Sequence, residues 1–206
     1  MLLADKRALF IHNMRTGGTS IEQMVYAYKL SFDVRFPRPH APIEFWVQRY
    51  PDIGEQIATS YFKFAFVRNT WERLASAYRL VYHMLSSGMY AEVYSYRHTA
   101  ETFTWDEFMR MTMEDGTVPY CAYWTDQLAL MRYDSRVVAD FIGSYDSYER
   151  DWYRVSRMLR WRLYRPMRCT LGAPTPHPVR YTDEQVEWVR GRYREEIDMF
   201  KFEYRP

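Results

Sequence analysis

Arg15, Thr16, Gly17, Gly18, Thr19 and Ser20 stand directly behind a short apolar run, Ala8-Leu9-Phe10-Ile11, and its His-Asn-Met tail. After them Ile21, Met24, Val25 and Tyr28 recur at helical spacing. A strand that runs through a Gly-Gly turn into a helix forms an anion site. The first helical turn offers unpaired N–H groups and a partial positive charge, and the glycines let the backbone close on a phosphate. Arg15 adds a cation before the turn, and Thr19 and Ser20 add hydroxyls after it. An ATP-type loop, G-x-x-x-x-G-K-[ST], would place Asn13 at its first glycine and Thr19 at its lysine, so both diagnostic residues are absent. A turn that only joins strand to helix is the plainer reading of this segment alone.

A second arrangement of the same kind follows. Phe64-Ala65-Phe66-Val67 fits a buried strand and leads through Arg68 into a helix from Thr70, with Leu74, Ala77, Tyr78 and Val81 on one side. Ser76 lies two turns into that helix, roughly 9 Å past Thr70 at 1.5 Å per residue, within reach of a guanidinium at the strand end. Arg73, three residues earlier, shares its face. Taken alone, Arg68 and Ser76 read as a surface arginine and a helix serine. Behind a first phosphate loop, in this order, they read as a second anion site.

These two segments resemble the motifs of sulfotransferases that use 3′-phosphoadenosine 5′-phosphosulfate (PAPS). Leu9 to Ser20 is similar to the 5′-phosphosulfate loop of the carbohydrate-type group, phi-x-K-T-G-G-T-S, with Arg15 where lysine is usual. Phe64 to Tyr78 is similar to the 3′-phosphate motif, an arginine after a strand and a serine eight residues on, with Thr70 where proline is usual. The resemblance runs nearly the full length. Trp124-Thr125-Asp126-Gln127 resembles a W-x-x-Q segment, Asp140 to Trp152 a stretch of the form fvGryEnleeDf with Asp146 for its glutamate, and Tyr181 to Phe200 the terminal helix, where Lys201 replaces a glycine.

The resemblance implies a P-loop-like α/β fold and in-line transfer of a sulfuryl group from PAPS to an acceptor hydroxyl, most often on a sugar, leaving PAP. It assigns Arg15 through Ser20, Arg68, Arg73 and Ser76 to the nucleotide, with Arg180 and His177 in a loop that folds over it. Arg15 would also balance charge on the departing phosphate oxygen. Such a transfer needs a group to take the hydroxyl proton, and histidine suits that task near neutral pH. Of His12, His40, His83, His98 and His177, the resemblance favours His40, in the proline-rich stretch between the two motifs; His98 and Glu44 are the alternatives. The tyrosine-rich stretch with Tyr90, Tyr94, Tyr96 and Arg97 offers aromatic faces to an acceptor. Two other readings stay open: a P-loop-type kinase, and a non-catalytic protein that binds a nucleotide or a sulfated glycan.

The elements that must hold these residues follow from composition and pattern. At 206 residues, 48% hydrophobic and 26% charged, the chain suits one domain, 1–206, of a globular α/β protein with a mainly parallel sheet. A net charge of +2 gives no cause to expect nucleic acid as partner. Two cysteines, Cys121 and Cys169, form no disulfide framework, no side chains cluster with metal-ligand spacing, and no apolar run is long enough for a membrane span, so a cytoplasmic protein without a metal is expected. Residues 31–43, with three prolines, read as irregular loop, 44–58 as a helix or two short turns, and 86–103 as an excursion loop. Val137 to Ile142 is the third strand candidate. Helices are expected from Thr104 to Met113, over 147–161, and over 182–198, the first and last opened by capping boxes. The middle one carries Arg150, Arg154 and Arg157 opposite Trp152, Val155 and Leu159, a solvated basic face or a dock for an anionic glycan.

Overall fold

The computed structural model describes residues 1–29, 33–34, 40–88, 99–114, 125–162, 166 and 175–206. They divide into two compact units, Met1–Arg68 with Asp126–Cys169, and Asn69–Thr125 with Thr170–Pro206.

The first unit is built on a five-stranded sheet. Its strands are β1 (Leu2–Leu3), β2 (Ala8–Ile11), β3 (Asp33–Val34), β4 (Phe62–Val67) and β7 (Phe141–Ser144), in the order β3-β1-β2-β4-β7. β2, β4 and β7 run parallel, with Phe10 opposite Phe64 and Phe64 opposite Phe141. β1 pairs antiparallel with β2 and with β3. Every residue of β2 is buried, as is all of β4 after Phe62, which explains why both read as continuous apolar runs rather than alternating ones.

Helices α1 (Gly18–Ala27) and α6 (Tyr148–Met158) share one core with the sheet. Phe10, Phe64 and Phe66 meet Ile21, Met24 and Val25 of α1 and Trp152 and Val155 of α6 there. The Phe10 and Phe64 rings stack at 5.1 Å. Along α6 the expected split holds: Trp152, Val155 and Leu159 are buried while Arg150, Arg154 and Arg157 are exposed. Arg150 and Arg154 both reach the buried carboxylate of Asp151. That carboxylate also accepts from Ser144 N at 3.0 Å and Ser147 Oγ at 2.7 Å, tying the end of β7 to α6. Burial alone would raise its pKa, but these hydrogen bonds and Arg150 outweigh that and hold it below the ordinary carboxylate value.

Four expectations need correction. The third strand begins at Phe141, not Val137. Arg136–Val137 (β6) instead pairs with Arg132–Tyr133 (β5) across Asp134 and Ser135, both with positive φ, the backbone that a two-residue hairpin turn requires. Residues 31–43 are not all loop, because Asp33–Val34 forms the edge strand. The segment 44–58 holds two helices, α2 (Ile43–Arg49) and α3 (Gly54–Thr59), parted around Pro51. The last helix is likewise two, α7 (Asp183–Arg192) and α8 (Arg194–Phe200), broken at Tyr193, two residues beyond the weak helix former Gly191. Most of the expected 86–103 excursion lies outside the described residues.

The second unit holds α4 (Thr70–Ser86), α5 (Trp105–Met113), α7 and α8. Asn69 caps α4, its Oδ1 accepting from Trp71 N at 3.2 Å. Thr104 caps α5, and Thr182 with Gln185 completes a reciprocal capping box on α7. Gln185 also accepts from Trp105 Nε1 at 3.2 Å, so one amide serves two helices. Beneath α4 the guanidinium of Arg73, 1% exposed, meets Glu196 of α8, 0% exposed, at 3.6 Å, and Thr70 Oγ1 donates to the same carboxylate oxygen at 2.6 Å. Glu196→Ala takes away this counter-charge and should destabilise the protein by about 3–5 kcal/mol in chemical denaturation. A loss under about 1 kcal/mol would mean that the pair is not formed.

Candidate active site

The loop from His12 to Gly17 leaves the end of β2 and enters α1. Two of its residues take left-handed backbone, Arg15 at φ 61° and Gly17 at φ 88°. Such alternation turns successive N–H groups toward one point, and Gly17 then caps α1 without a side chain. Asn13, fully buried, donates from Nδ2 to Phe66 O at 3.1 Å and so ties the loop to β4. Thr16 donates its hydroxyl to Asn13 O at 2.9 Å, which leaves its main chain as the part able to meet a ligand.

Both glycines are required by their neighbours, and Gly17 by its conformation as well. A Cβ on Gly18 would lie 2.0 Å from Cδ2 of the His12 ring. One on Gly17 would lie 2.8 Å from the Tyr148 ring, whose hydroxyl donates to Gly17 O at 3.0 Å. The loop backbone therefore rests on two rings. This arrangement of left-handed turns, glycines and an open helix start, with Arg15, Thr19 and Ser20 beside it, fits a phosphate.

His12 is the first residue of this loop, and it is buried. Its Nδ1 meets Glu22 Oε1 of α1 at 2.9 Å. Burial works to raise the Glu22 pKa, but the hydrogen bond and charge of His12 outweigh it, and the carboxyl sits below its ordinary range. The carbonyl of His12 accepts from His40 Nδ1 at 2.9 Å, and the two rings lie 4.3 Å apart. Because a carbonyl only accepts, Nδ1 of His40 carries the proton and Nε2 carries the lone pair. Burial first, then the charge of His12, push His40 down to about 4, against a smaller opposing effect of that backbone bond. His40 is therefore an unprotonated imidazole at neutral pH, fixed in tautomer and set beside the glycine loop.

Arg68 directly follows β4 and is half-buried. Gln127 grips its main chain at both ends, accepting from Arg68 N at 2.9 Å and donating to Arg68 O at 3.0 Å. The guanidinium lies over the Tyr145 ring at 4.3 Å. The structure thus gathers Arg15 to Ser20, His40 and Arg68 in the first unit. Arg73, Ser76 and Arg180 belong to the second. Ser76 is buried one turn after Arg73 on α4, and Arg180 is exposed just before Tyr181, whose hydroxyl donates to Trp71 O at 2.7 Å. Glu44 is half-buried in the first turn of α2, His83 lies late in α4, and His177 sets its ring against Tyr82 at 6.4 Å. His98, Tyr90, Tyr94, Tyr96, Arg97, Cys121, Trp124 and Cys169 lie outside the described residues.

A family model described as the sulfotransferase family matches residues 34–203. The chain belongs to the sulfotransferase family. The match holds Arg68, Ser76, Gln127 and Tyr145 and begins after the glycine loop, so Arg15 to Ser20 rest on their own geometry. Among curated proteins and solved structures no match is found. This sulfotransferase is an enzyme of sulfuryl transfer, and its family implies PAPS as donor. No helix among the described residues is long and apolar enough to cross a membrane.

Sequence reasoning missed Asn13, Glu22, Tyr145 and Tyr148 as supports of the site. The one signal available was the position of Tyr145 and Tyr148, three apart, just behind a parallel strand that ends in Gly143-Ser144. The close approach at residue 18 is testable. Gly18→Ala should cost about 1–3 kcal/mol by overpacking, and His12→Ala in the same chain should recover part of it. Equal losses with and without the His12 ring would show that the ring does not set the constraint.

Proposed function

We propose that this sulfotransferase moves the sulfuryl group of PAPS to a hydroxyl of a carbohydrate acceptor by in-line displacement, releasing PAP. The observation that carries the reading is His40: its Nδ1–H is committed to the His12 carbonyl, so Nε2 is the basic atom, next to a loop shaped for phosphate. The carbohydrate acceptor rests on the likeness of that loop to the carbohydrate-type group. The two motifs are read as parts of one sulfotransferase domain spanning 1–206.

PAPS, when bound, supplies an activated sulfuryl group whose S–O bond to phosphate is the bond that breaks. The first-turn N–H groups of α1, with Arg15, Thr19, Ser20 and the main chain of Thr16, Gly17 and Gly18, are assigned to the 5′-phosphosulfate. Arg68 and Ser76 are assigned to the 3′-phosphate by their motif, and Arg180 to the segment that covers the nucleotide. Arg73 serves that site through α4, where its pairing with Glu196 holds the turn before Ser76. His40 takes the acceptor's hydroxyl proton on Nε2 as the new O–S bond forms. Arg15 balances charge on the phosphate oxygen that departs.

Calorimetric titration with PAP, with ATP and ADP as controls, tests the nucleotide. PAP should bind at micromolar or tighter affinity, and Arg68→Ala and Ser76→Ala should each weaken it sharply. Folded protein that ignores PAP overturns the reading, and preference for ATP moves a kinase to the front. The base has its own test in the pH profile. A histidine set at about 4 stays unprotonated as pH falls from 8 through 6, so kcat/KM should hold level there and drop only as pH approaches 4. His40→Ala should lower kcat by about 100-fold or more and remove that limb. An acidic limb centred near the ordinary histidine value, or one that survives in the variant, assigns the proton to another group.

A further inference from the structure

We infer that Tyr145 is a positioning residue that presets the guanidinium of Arg68 for the phosphate it binds. The inference rests on the assignment of Arg68 to the nucleotide made above.

Arg68 is constrained twice, by different elements. Gln127 bonds both its N–H and its C=O, which fixes the backbone at the end of β4. The long side chain still has its own torsions, and they decide where the charge points. The Tyr145 ring supplies that second constraint, with Cζ of Arg68 4.3 Å from the ring centroid. The contact is closer than others of its kind in the same unit, Arg7 over Tyr61 at 5.6 Å and Arg154 over Phe141 at 5.5 Å.

Tyr145 is poorly explained as a core residue. It is 38% exposed, on the turn between β7 and α6, and its neighbour Tyr148 fills the interior instead. Its ring edge reaches the glycine loop, since a Cβ on Gly17 would lie 3.4 Å from Tyr145 Cε2. One ring thus has Arg68 on its face and the loop at its edge. A cation held by a ring before the ligand arrives loses less freedom on binding than one that must be ordered then. The ring face does this work, so phenylalanine should serve as well as tyrosine and leucine should not.

The test titrates wild type, Tyr145→Phe and Tyr145→Leu with PAP and with adenosine 5′-phosphate, which lacks the 3′-phosphate. Tyr145→Leu should weaken PAP about 5- to 20-fold and adenosine 5′-phosphate by no more than about twofold, with Tyr145→Phe close to wild type. Thermal midpoints should be the same for all three. Equal weakening of both nucleotides, or equal loss in the phenylalanine and leucine variants, overturns the inference.

Wild-type protein that fails to bind PAP refutes the nucleotide assignment instead. The positioning is then decided without ligand by NMR of the Arg68 δ-methylene protons. A ring held over the guanidinium moves them upfield in wild type and Tyr145→Phe but not in Tyr145→Leu. Unshifted protons in wild type would show that the ring does not hold the side chain.

Discussion

The contact between the His12 imidazole and the backbone of Gly18 is the constraint on which the form of the glycine loop depends. The ring occupies the space that any side chain at residue 18 would need, so the start of α1 lies flat against it. The same residue offers its carbonyl to His40 and its Nδ1 to Glu22. A residue that carries no assigned chemistry thereby sets the backbone of the glycine loop, the tautomer of His40 and the anchorage of a helix. Displacing it would disturb all three at once, which is why a buried histidine stands where a core residue would otherwise fill the space.

Arg68 is held by a different device. In the glycine loop both Arg15 and Gly17 take left-handed backbone, which costs strain at Arg15 and none at the glycine. At Arg68 the backbone is pinned by the Gln127 amide, which imitates a neighbouring strand, and the side chain lies over the Tyr145 ring. Both devices stand at the carboxyl ends of adjacent parallel strands, where strand pairing sets their spacing. The turn after β7, the next strand along, supplies Tyr145 and Tyr148, one ring for each device.

The central strands and the helices behind them were legible because they obey one-dimensional rules. Continuous apolar runs marked β2 and β4, and caps at Thr104 and Thr182 marked α5 and α7. The glycine loop was legible for the same reason, since its residues are contiguous. What sequence could not show depended on neighbours distant in the chain. The shift of β7 past Val137 follows from a hairpin turn built on Asp134 and Ser135, where the glycine of the strongest hairpin signal is missing. The edge strand Asp33–Val34 was hidden in a proline-rich stretch because two residues make no period. Gln127 and Tyr145 meet Arg68 across 59 and 77 positions, and nothing local to either residue announces that meeting. Arg73 shows the converse: its spacing to Ser76 was plain, whereas its commitment to Glu196 needed a helix more than a hundred residues away.

Each compact unit is stitched from two separated stretches of chain, and the boundaries fall after Arg68, Thr125 and Cys169. During synthesis β4 emerges long before β7, which must lie beside it. By then the ribosome has already made the first stretch of the other unit, which cannot close until α7 and α8 appear. Both units therefore wait on late residues, and neither can be obtained as one uninterrupted fragment. Contacts between such distant segments are slow to form, and an unpaired β4 edge is open to wrong partners meanwhile. A chain divided in this way depends on being completed before either unit is sound.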